Sequence, residues 1–109
     1  MDYQISTEEV RKRLKNGDNV KIIDVREDFE FVNGHIPGAI LIPLGTLGYR
    51  YQELDKQEEY LIVCRSGNRS EYATLFLLHQ GFKKVKNIVG GMLDWTGKVV
   101  TEEGGIKYI

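Results

Sequence analysis

"YLIVCRSGNRSEYATLFLLHQG", residues 60–81, places an apolar run, a short polar loop and a helical pattern in immediate succession. The run YLIVC predicts a buried strand, because it is short, largely β-branched and apolar, and it ends at Cys64. The pattern SEYATLFLLHQG predicts a helix that begins with Ser70 as its N-cap residue and ends at Gly81. A buried strand followed by a tight loop and a helix is typical of α/β folds.

The same alternation of strands and helices extends along the chain. Further helices are predicted for residues 5–18, 27–34 and 92–97, and further strands for residues 20–25, 39–43 and 84–91. Residues 44–59 are ambiguous, with a turn or two of helix, and residues 102–109 are predicted to form a surface arm. This order predicts an α/β three-layer sandwich, in which helices cover both faces of a mostly parallel central sheet of four or five strands.

Composition narrows the class of protein. A chain of 109 residues is expected to fold as one domain over residues 1–109. The net charge of −1 gives no overall attraction to nucleic acid or to an acidic membrane, so neither is expected as a partner. The N-terminal stretch has no apolar signal region, and the single cysteine cannot form an internal disulfide. These features favour a cytoplasmic protein.

The loop after the YLIVC strand has the residues of an anion site built around a thiol. Ligands of parallel α/β folds bind beyond the carboxyl ends of the strands, which is where Cys64 lies. Gly67 permits a tight reversal with positive φ, and the backbone amides of such a turn can converge on one point. Arg65 and Arg69 and the start of the following helix add positive potential, which favours the nucleophilic thiolate. The predicted site comprises Cys64, Arg65, Ser66, Gly67, Asn68, Arg69 and Ser70.

A structural alternative exists for each of these residues. A lone cysteine is more often a small buried apolar side chain than a nucleophile, and two arginines can simply form a solvated turn. The glycine, the helix start and the paired arginines together favour the catalytic interpretation. Asp24 and Arg26 end a neighbouring strand; they either support the loop or, as we favour, form an ion pair that ties this strand to the next helix. No metal is expected, because two distant histidines and one cysteine have no metal-binding spacing.

Four stretches in this order resemble one known family. CRSGNRS resembles the active-site loop of single-domain rhodaneses, the thiosulfate and persulfide sulfurtransferases, while IIDVRE, GHIPGAI and GGMLDW resemble its other motifs. The resemblance covers roughly residues 5–96. It implies a rhodanese-like fold, no cofactor, and transfer of sulfur from a small donor such as thiosulfate, or a persulfide, onto Cys64. A thiol or cyanide would then accept the sulfur in a ping-pong reaction, and another protein could serve as donor or acceptor.

The resemblance also implies roles within the loop. The amides of residues 65–69 would hold the anionic persulfide, and Arg65 would bind thiosulfate. Arg69 would brace the loop by pairing with an acid such as Asp24 or Glu71.

Other functions remain as alternatives. Phosphatases that share the fold have five residues between cysteine and arginine, whereas Cys64 and Arg69 enclose four. A smaller ring suits one sulfur atom better than a phosphate, so a phosphatase or arsenate reductase is less favoured. A non-catalytic rhodanese-like binding module is also less favoured, since such modules typically lack the cysteine.

Overall fold

A five-stranded parallel sheet forms the middle layer of the protein. The computed structural model describes residues 2–101 and 106–108. The strands are β1 (Gln4–Ser6), β2 (Ile22–Asp24), β3 (Ile40–Leu41), β4 (Glu59–Val63) and β5 (Lys84–Val89). Their order across the sheet is β1-β5-β4-β2-β3, and every neighbouring pair is parallel. The predicted parallel sheet is therefore confirmed, with five strands.

Helices connect these strands and cover the sheet. They are α1 (Thr7–Lys15), α2 (Asp28–Phe31), α3 (Leu44–Arg50), α4 (Asn68–His79) and α5 (Gly91–Asp94). The ambiguous segment 44–59 contains α3, followed by a single 3₁₀ turn, Tyr51–Glu53. Within residues 2–101 and 106–108, no helix is both long and apolar enough to cross a membrane.

Apolar cores lie on opposite faces of the sheet, because successive residues of a strand point to opposite sides. In β4 and just beyond it, Ile62 and Cys64 join the core that includes residues of α3 and α4. Leu61 and Val63 join the opposite core, which includes Trp95 and residues of α1 and α5. The alternation explains why the whole YLIVC run is buried, and it confirms the prediction of helices on both faces.

The N-terminal prediction was right for the helix and missed a strand. Ser6 caps α1 by accepting a hydrogen bond from the Glu9 amide at 3.0 Å, as serine commonly does at a helix start. Residues 4–6, however, form β1, which pairs with β5 through Gln4 and Asn87. Three residues carry no detectable strand period, and this strand depends on a partner more than 80 positions away in the sequence.

The prediction of Ser70 as the N-cap of α4 was wrong. The helix begins at Asn68, and Gly67 occupies the N-cap position with a φ of 105°. The left-handed conformation of Gly67 turns the chain earlier than expected, and this places Ser70 inside the first helical turn.

Part of the predicted C-terminal surface arm forms a strand. Strand β6 (Lys98–Val100) pairs in antiparallel fashion with β7 (Ile106–Tyr108), and the two form a separate small sheet. Residues 102–105 and 109, which the same prediction included, lie outside the described residues.

Candidate active site

Cys64 directly follows β4 at the carboxyl edge of the parallel sheet. Asp24, the last residue of β2, is in register with Val63, so the residues after both strands meet at the same edge. The loop of residues 64–67 then leads into α4, as the sequence indicates. The fold thus places the predicted nucleophile where ligands of parallel α/β sheets are expected.

Hydrogen-bond donors surround the sulfur of Cys64. The Gly67 amide nitrogen lies 3.1 Å from Sγ and the Ser70 amide nitrogen lies 3.3 Å from it. The Ser70 hydroxyl oxygen is also 3.3 Å from Sγ. Within the predicted range of residues 65–69, the Gly67 amide is directed at the sulfur, and the Ser70 amide, one residue beyond this range, joins it from the first turn of α4.

These contacts explain the acidity of the thiol. Burial raises the pKa of Cys64, since it disfavours the charged form. The Ser70 hydroxyl, when its proton points to sulfur, and the amides of Ser70, Gly67 and Ser66 lower the pKa by stabilising the thiolate. The hydrogen bonds prevail, and the pKa of Cys64 lies below its ordinary value.

Cys64 combines features of both interpretations drawn from its sequence. The residue has 0% exposure and belongs to an apolar core, like a structural cysteine. Its sulfur nevertheless accepts hydrogen bonds from amides, which a purely apolar packing position does not require. The neighbouring loop residues Arg65, Ser66 and Asn68 are exposed to solvent.

The glycine pair at the start of α5 packs against the backbone of the loop. The amides of Met92 and Leu93 donate to the carbonyl oxygens of Cys64 and Arg65, both at 2.9 Å. A Cβ atom on Gly91, where φ is +57°, would overlap both of these oxygens. The GGMLDW motif therefore fixes the loop through its carbonyl groups. Gly91, the first residue of α5, must be glycine.

Arg69 is held by an acid that the sequence analysis did not identify. Its guanidinium donates two hydrogen bonds to Glu30 in α2, at 2.8 and 2.9 Å. The bracing interaction is as predicted, but the proposed partners Asp24 and Glu71 were wrong. Arg69 holds the pKa of Glu30 low, at about 2, and the Glu27 amide and Arg26 act in the same direction against burial.

Asp24 and Arg26 form a buried ion pair with each other. Arg26 Nε lies 3.0 Å from Asp24 Oδ1 and Arg26 Nη2 lies 2.9 Å from Asp24 Oδ2. The same Nη2 donates to the Gly34 carbonyl at 2.8 Å, just beyond α2. The ion pair of the favoured alternative is present, but it joins Asp24 and Arg26 to each other, and the link to the next segment is the hydrogen bond to Gly34.

Asn87 is a site residue that the sequence analysis missed. It lies in β5, is 3% exposed, and its Oδ1 is 2.5 Å from the Ser70 hydroxyl oxygen. The available signal was an amide side chain within the otherwise alternating run KVKNIV. In residues 2–101 and 106–108, no cluster of three or more His, Cys, Asp or Glu side chains could hold a metal ion.

Comparison with known proteins finds the same family that the four sequence motifs resemble. The family model described as a rhodanese-like domain matches residues 6–98. The Bacillus subtilis protein YrkF, named as a candidate sulfur carrier protein, is 46% identical over 95 residues, which are 87% of this chain and 51% of that protein. The chain thus spans about half the length of this relative.

Two further proteins match over most of their own length. YtwF of Bacillus subtilis, named as a candidate sulfurtransferase, is 41% identical over 87% of this chain and 91% of that protein. The crystal structure of a rhodanese-like domain protein from Staphylococcus aureus superposes with a TM-score of 0.81 and 35% identity, covering 97% of both chains.

Proposed function

Because this chain belongs to the rhodanese-like domain family, we propose that it is a sulfurtransferase that carries sulfane sulfur as a persulfide on Cys64. The observation that carries the proposal is the convergence of the Gly67 and Ser70 amides on Cys64 Sγ. Amides aimed at a sulfur stabilise its anionic form, and the thiolate is the form that attacks. The names of the two Bacillus subtilis relatives support sulfur chemistry in general.

The reaction consists of two displacements at sulfur. The Cys64 thiolate attacks the outer sulfur of thiosulfate; a sulfur–sulfur bond forms, the bond to the sulfonate breaks, and sulfite leaves with the electron pair. The outer persulfide sulfur now carries the negative charge. A thiolate or cyanide then attacks this outer sulfur, so that a new persulfide or thiocyanate leaves and the Cys64 thiolate returns. Each step is covalent catalysis without a cofactor, with ping-pong kinetics.

Access to the sulfur requires a movement of the loop. Cys64 is completely buried in this structure, whereas Arg65, Ser66 and Asn68 beside it are exposed. A donor therefore reaches Sγ when exposed loop residues shift outward, while the backbone on the side of Gly91 stays fixed by its contacts with the Cys64 and Arg65 carbonyls.

Mass spectrometry of the intact protein tests this function. Thiosulfate treatment is expected to add the mass of one sulfur atom to the wild type and nothing to Cys64→Ser. Adding cyanide should return the wild type to its original mass. A wild type that never gains sulfur, although its thiol still reacts with an alkylating reagent, would support a binding module instead.

Arg65 is the residue that we assign to thiosulfate. It is exposed next to the nucleophile, whereas the guanidinium of Arg69 is held by Glu30. We expect Arg65→Ala to raise the KM for thiosulfate about tenfold, as loss of a charged contact does, and to leave the melting temperature unchanged. Arg69→Ala should lower the melting temperature. The reverse pattern, measured by steady-state kinetics and thermal unfolding, would contradict the assignment.

A protein donor or acceptor and a cytoplasmic setting belong to the same proposal. The likeness to a candidate sulfur carrier protein supports a protein partner. The single cysteine fits a compartment that keeps thiols reduced.

A further inference from the structure

A chain of hydrogen bonds leads from the sulfur of Cys64 through β5 and β1 to the carboxylate of Glu71, which follows Ser70 in the first turn of α4. The Ser70 hydroxyl oxygen lies 3.3 Å from Cys64 Sγ and 2.5 Å from Asn87 Oδ1. Asn87 Nδ2 donates to Gln4 Oε1 at 2.9 Å, and Gln4 Nε2 lies 3.3 Å from Glu71 Oε2. Ser70 and Asn87 are buried, while Gln4 and Glu71 are partly buried.

The carboxylate fixes the direction of every hydrogen bond in this chain. An ionised carboxylate can only accept, so the NH₂ group of Gln4 must face Glu71. The amide oxygen of Gln4 then faces Asn87, and Asn87 must donate a hydrogen bond to it from its own NH₂ group. The oxygen of Asn87 is left to face Ser70.

The orientation of Asn87 decides what Ser70 can offer to the sulfur. A serine hydroxyl has one proton, and Asn87 Oδ1 is an acceptor that requires it. With this proton directed at Asn87, Ser70 presents only lone pairs to Cys64, and a neutral thiol can donate its proton there. A thiolate would instead require Ser70 to turn its proton toward sulfur, which leaves the buried Asn87 oxygen without that donor at a cost in free energy.

We propose that Glu71, Gln4 and Asn87 are positioning residues that set the direction of the hydrogen bond between Ser70 and Cys64, and thereby restrain ionisation of the nucleophile. The backbone amides of Gly67 and Ser70 favour the thiolate. The hydrogen-bond chain Ser70–Asn87–Gln4–Glu71, which we call the relay, favours the neutral thiol.

The restraint has a consequence for sulfur transfer, which rests on the function proposed above. The charge sits on Sγ in the thiolate but on the outer sulfur in the persulfide. The relay therefore favours the two states in which Sγ itself is uncharged, the thiol and the persulfide. Of the three states, the bare thiolate receives the least stabilisation from the relay itself, and this contribution favours its conversion by a sulfur donor.

Gln4→Ala and Glu71→Gln interrupt the relay at different points. Without the Gln4 amide, Asn87 is free to turn its NH₂ group to Ser70, while the charge of Glu71 is kept. A glutamine at position 71 can present either oxygen or NH₂, so it no longer dictates the direction of the chain. Tyr3 also donates to Glu71 Oε2, at 3.1 Å, and its hydroxyl can accept a hydrogen bond from a glutamine NH₂ group as readily as it donates to a glutamine oxygen.

The expected result is easier ionisation of Cys64 in both variants. Thiolate absorbance in the ultraviolet, taken as the difference from the matching Cys64→Ser protein, follows ionisation without requiring a reagent to reach the buried sulfur. We expect the midpoint to move to lower pH by about half a unit, the size of effect that one hydrogen bond gives. General loosening of the loop would move the midpoint to higher pH, because the amide donors would be lost.

The same measurements in a Ser70→Ala background separate the relay from a simple charge effect. Removing the Glu71 charge also favours the thiolate through space, and that effect would persist without the Ser70 hydroxyl. The relay effect must vanish. The charged groups on the neighbouring elements stay unchanged in these variants: Arg65 in the loop, Arg69 in α4, the Asp24–Arg26 pair at the end of β2, and Asp94 in α5.

The ionisation measurements, which test the relay, and the mass assay, which tests the proposed function, have independent outcomes. Equal midpoints for the wild type, Gln4→Ala and Glu71→Gln would overturn the relay and leave the proposed sulfurtransferase intact. A Gln4→Ala shift that keeps its full size in the Ser70→Ala background would overturn it too, and so would a Glu71→Gln shift that this background does not reduce. A wild type that forms no persulfide but shows the expected shifts would overturn only the function. Should Gln4→Ala fail to fold, Glu71→Gln decides alone.

Discussion

The reactivity of Cys64 arises from contacts made by its immediate neighbours. Burial alone would suppress ionisation, and the Gly67 and Ser70 amides compensate because the loop turns both of them toward the same atom. Gly67 makes this possible through its φ of 105°, which a residue with a side chain rarely adopts.

The first prediction concerns the pH dependence of this thiol. Because the pKa of Cys64 is lowered, the thiolate persists to lower pH than in an ordinary cysteine, whose pKa is about 8.5. The rate of alkylation by iodoacetamide should therefore reach half of its maximum below pH ~8.5. A half-maximal rate at or above that pH would show that burial outweighs the amides.

The second prediction concerns the substitution of Gly91. In Gly91→Ala the new methyl group overlaps the carbonyl oxygens of Cys64 and Arg65, and the positive φ adds strain. We expect a loss of about 1–3 kcal/mol in the free energy of unfolding, together with slower persulfide formation. Denaturant unfolding and the mass assay measure the two effects.

Gly48→Ala is the matched control for this substitution. Gly48 lies in α3, and no heavy atom lies within 4 Å of the position that its Cβ would take. Alanine is the better helix former by about 0.5–1 kcal/mol, so this variant should be slightly more stable and fully active. Equal behaviour of the two variants would mean that Gly91 does not fix the loop.

At the level of secondary structure, the ion pair between Glu30 and Arg69 ties α2 to α4. Its two hydrogen bonds join the short helix after β2 to the helix that follows the Cys64 loop. Glu30 also accepts a hydrogen bond from the Glu27 amide at 2.9 Å, which closes the capping box of α2. One carboxylate thus orders a helix start and connects it to the site.

Glu30→Gln should lower stability only where the carboxylate is ionised. The pKa of Glu30 falls from 4.5 in a free side chain to about 2 in the folded protein. A lowered folded pKa contributes stability above the unfolded value, and this contribution is lost as the pH falls from about 5 toward 2. We therefore expect the wild type to exceed the variant by about 1 kcal/mol in the free energy of unfolding at pH 7, with little difference near pH 2.

Glu53→Gln serves as the comparison for this pH experiment. Glu53 pairs with Arg50 on the surface, at 3.1 Å and with 57% of its side chain exposed. Such pairs contribute little, so the free energy of unfolding should change by less than about 0.5 kcal/mol at any pH. A pH-independent loss in Glu30→Gln would show that the charge of Glu30 is not what stabilises the protein.

The elements that could be predicted are those with a local signal. Strand β4, the loop and α4 follow one another in the sequence, so apolar pattern, glycine and helix start were sufficient to place Cys64 at the site. Glu30 and Arg69 are 39 positions apart, and Ser70 and Asn87 are 17 apart. Contacts of this kind depend on how α2 and β5 pack against the loop, which no local pattern encodes. Strand β1 was missed for the same reason, since it forms only by pairing with β5.

At the level of the whole molecule, one sheet joins both apolar cores. Leu77 of α4 is fully buried on the face that includes Cys64, and Trp95 is 2% exposed on the other face. Alternate residues of β4 contribute to both cores. Neither core can therefore lose its packing without disturbing the strand that they share.

Leu77→Ala tests this coupling. The cavity should cost about 2–5 kcal/mol in the free energy of unfolding and lower the melting temperature by roughly 10 °C or more. Because both cores share the sheet, Trp95 fluorescence and far-ultraviolet circular dichroism should report the same lowered midpoint. A Trp95 transition that stays at the wild-type temperature would show that the two faces unfold separately.

The packing of Gly67 against Gly90 limits which changes the loop of residues 64–67 can accept. A Cβ at Gly67 would already sit 3.2 Å from the Gly90 nitrogen, and Gly91 allows no side chain at all behind Cys64 and Arg65. An inserted residue could only bulge into solvent, and it would carry the Ser70 amide away from the sulfur. The size of this turn is thus limited by a segment more than twenty residues further along the chain, and a ring wide enough for a bulkier anion would require changes at Gly90 and Gly91 as well.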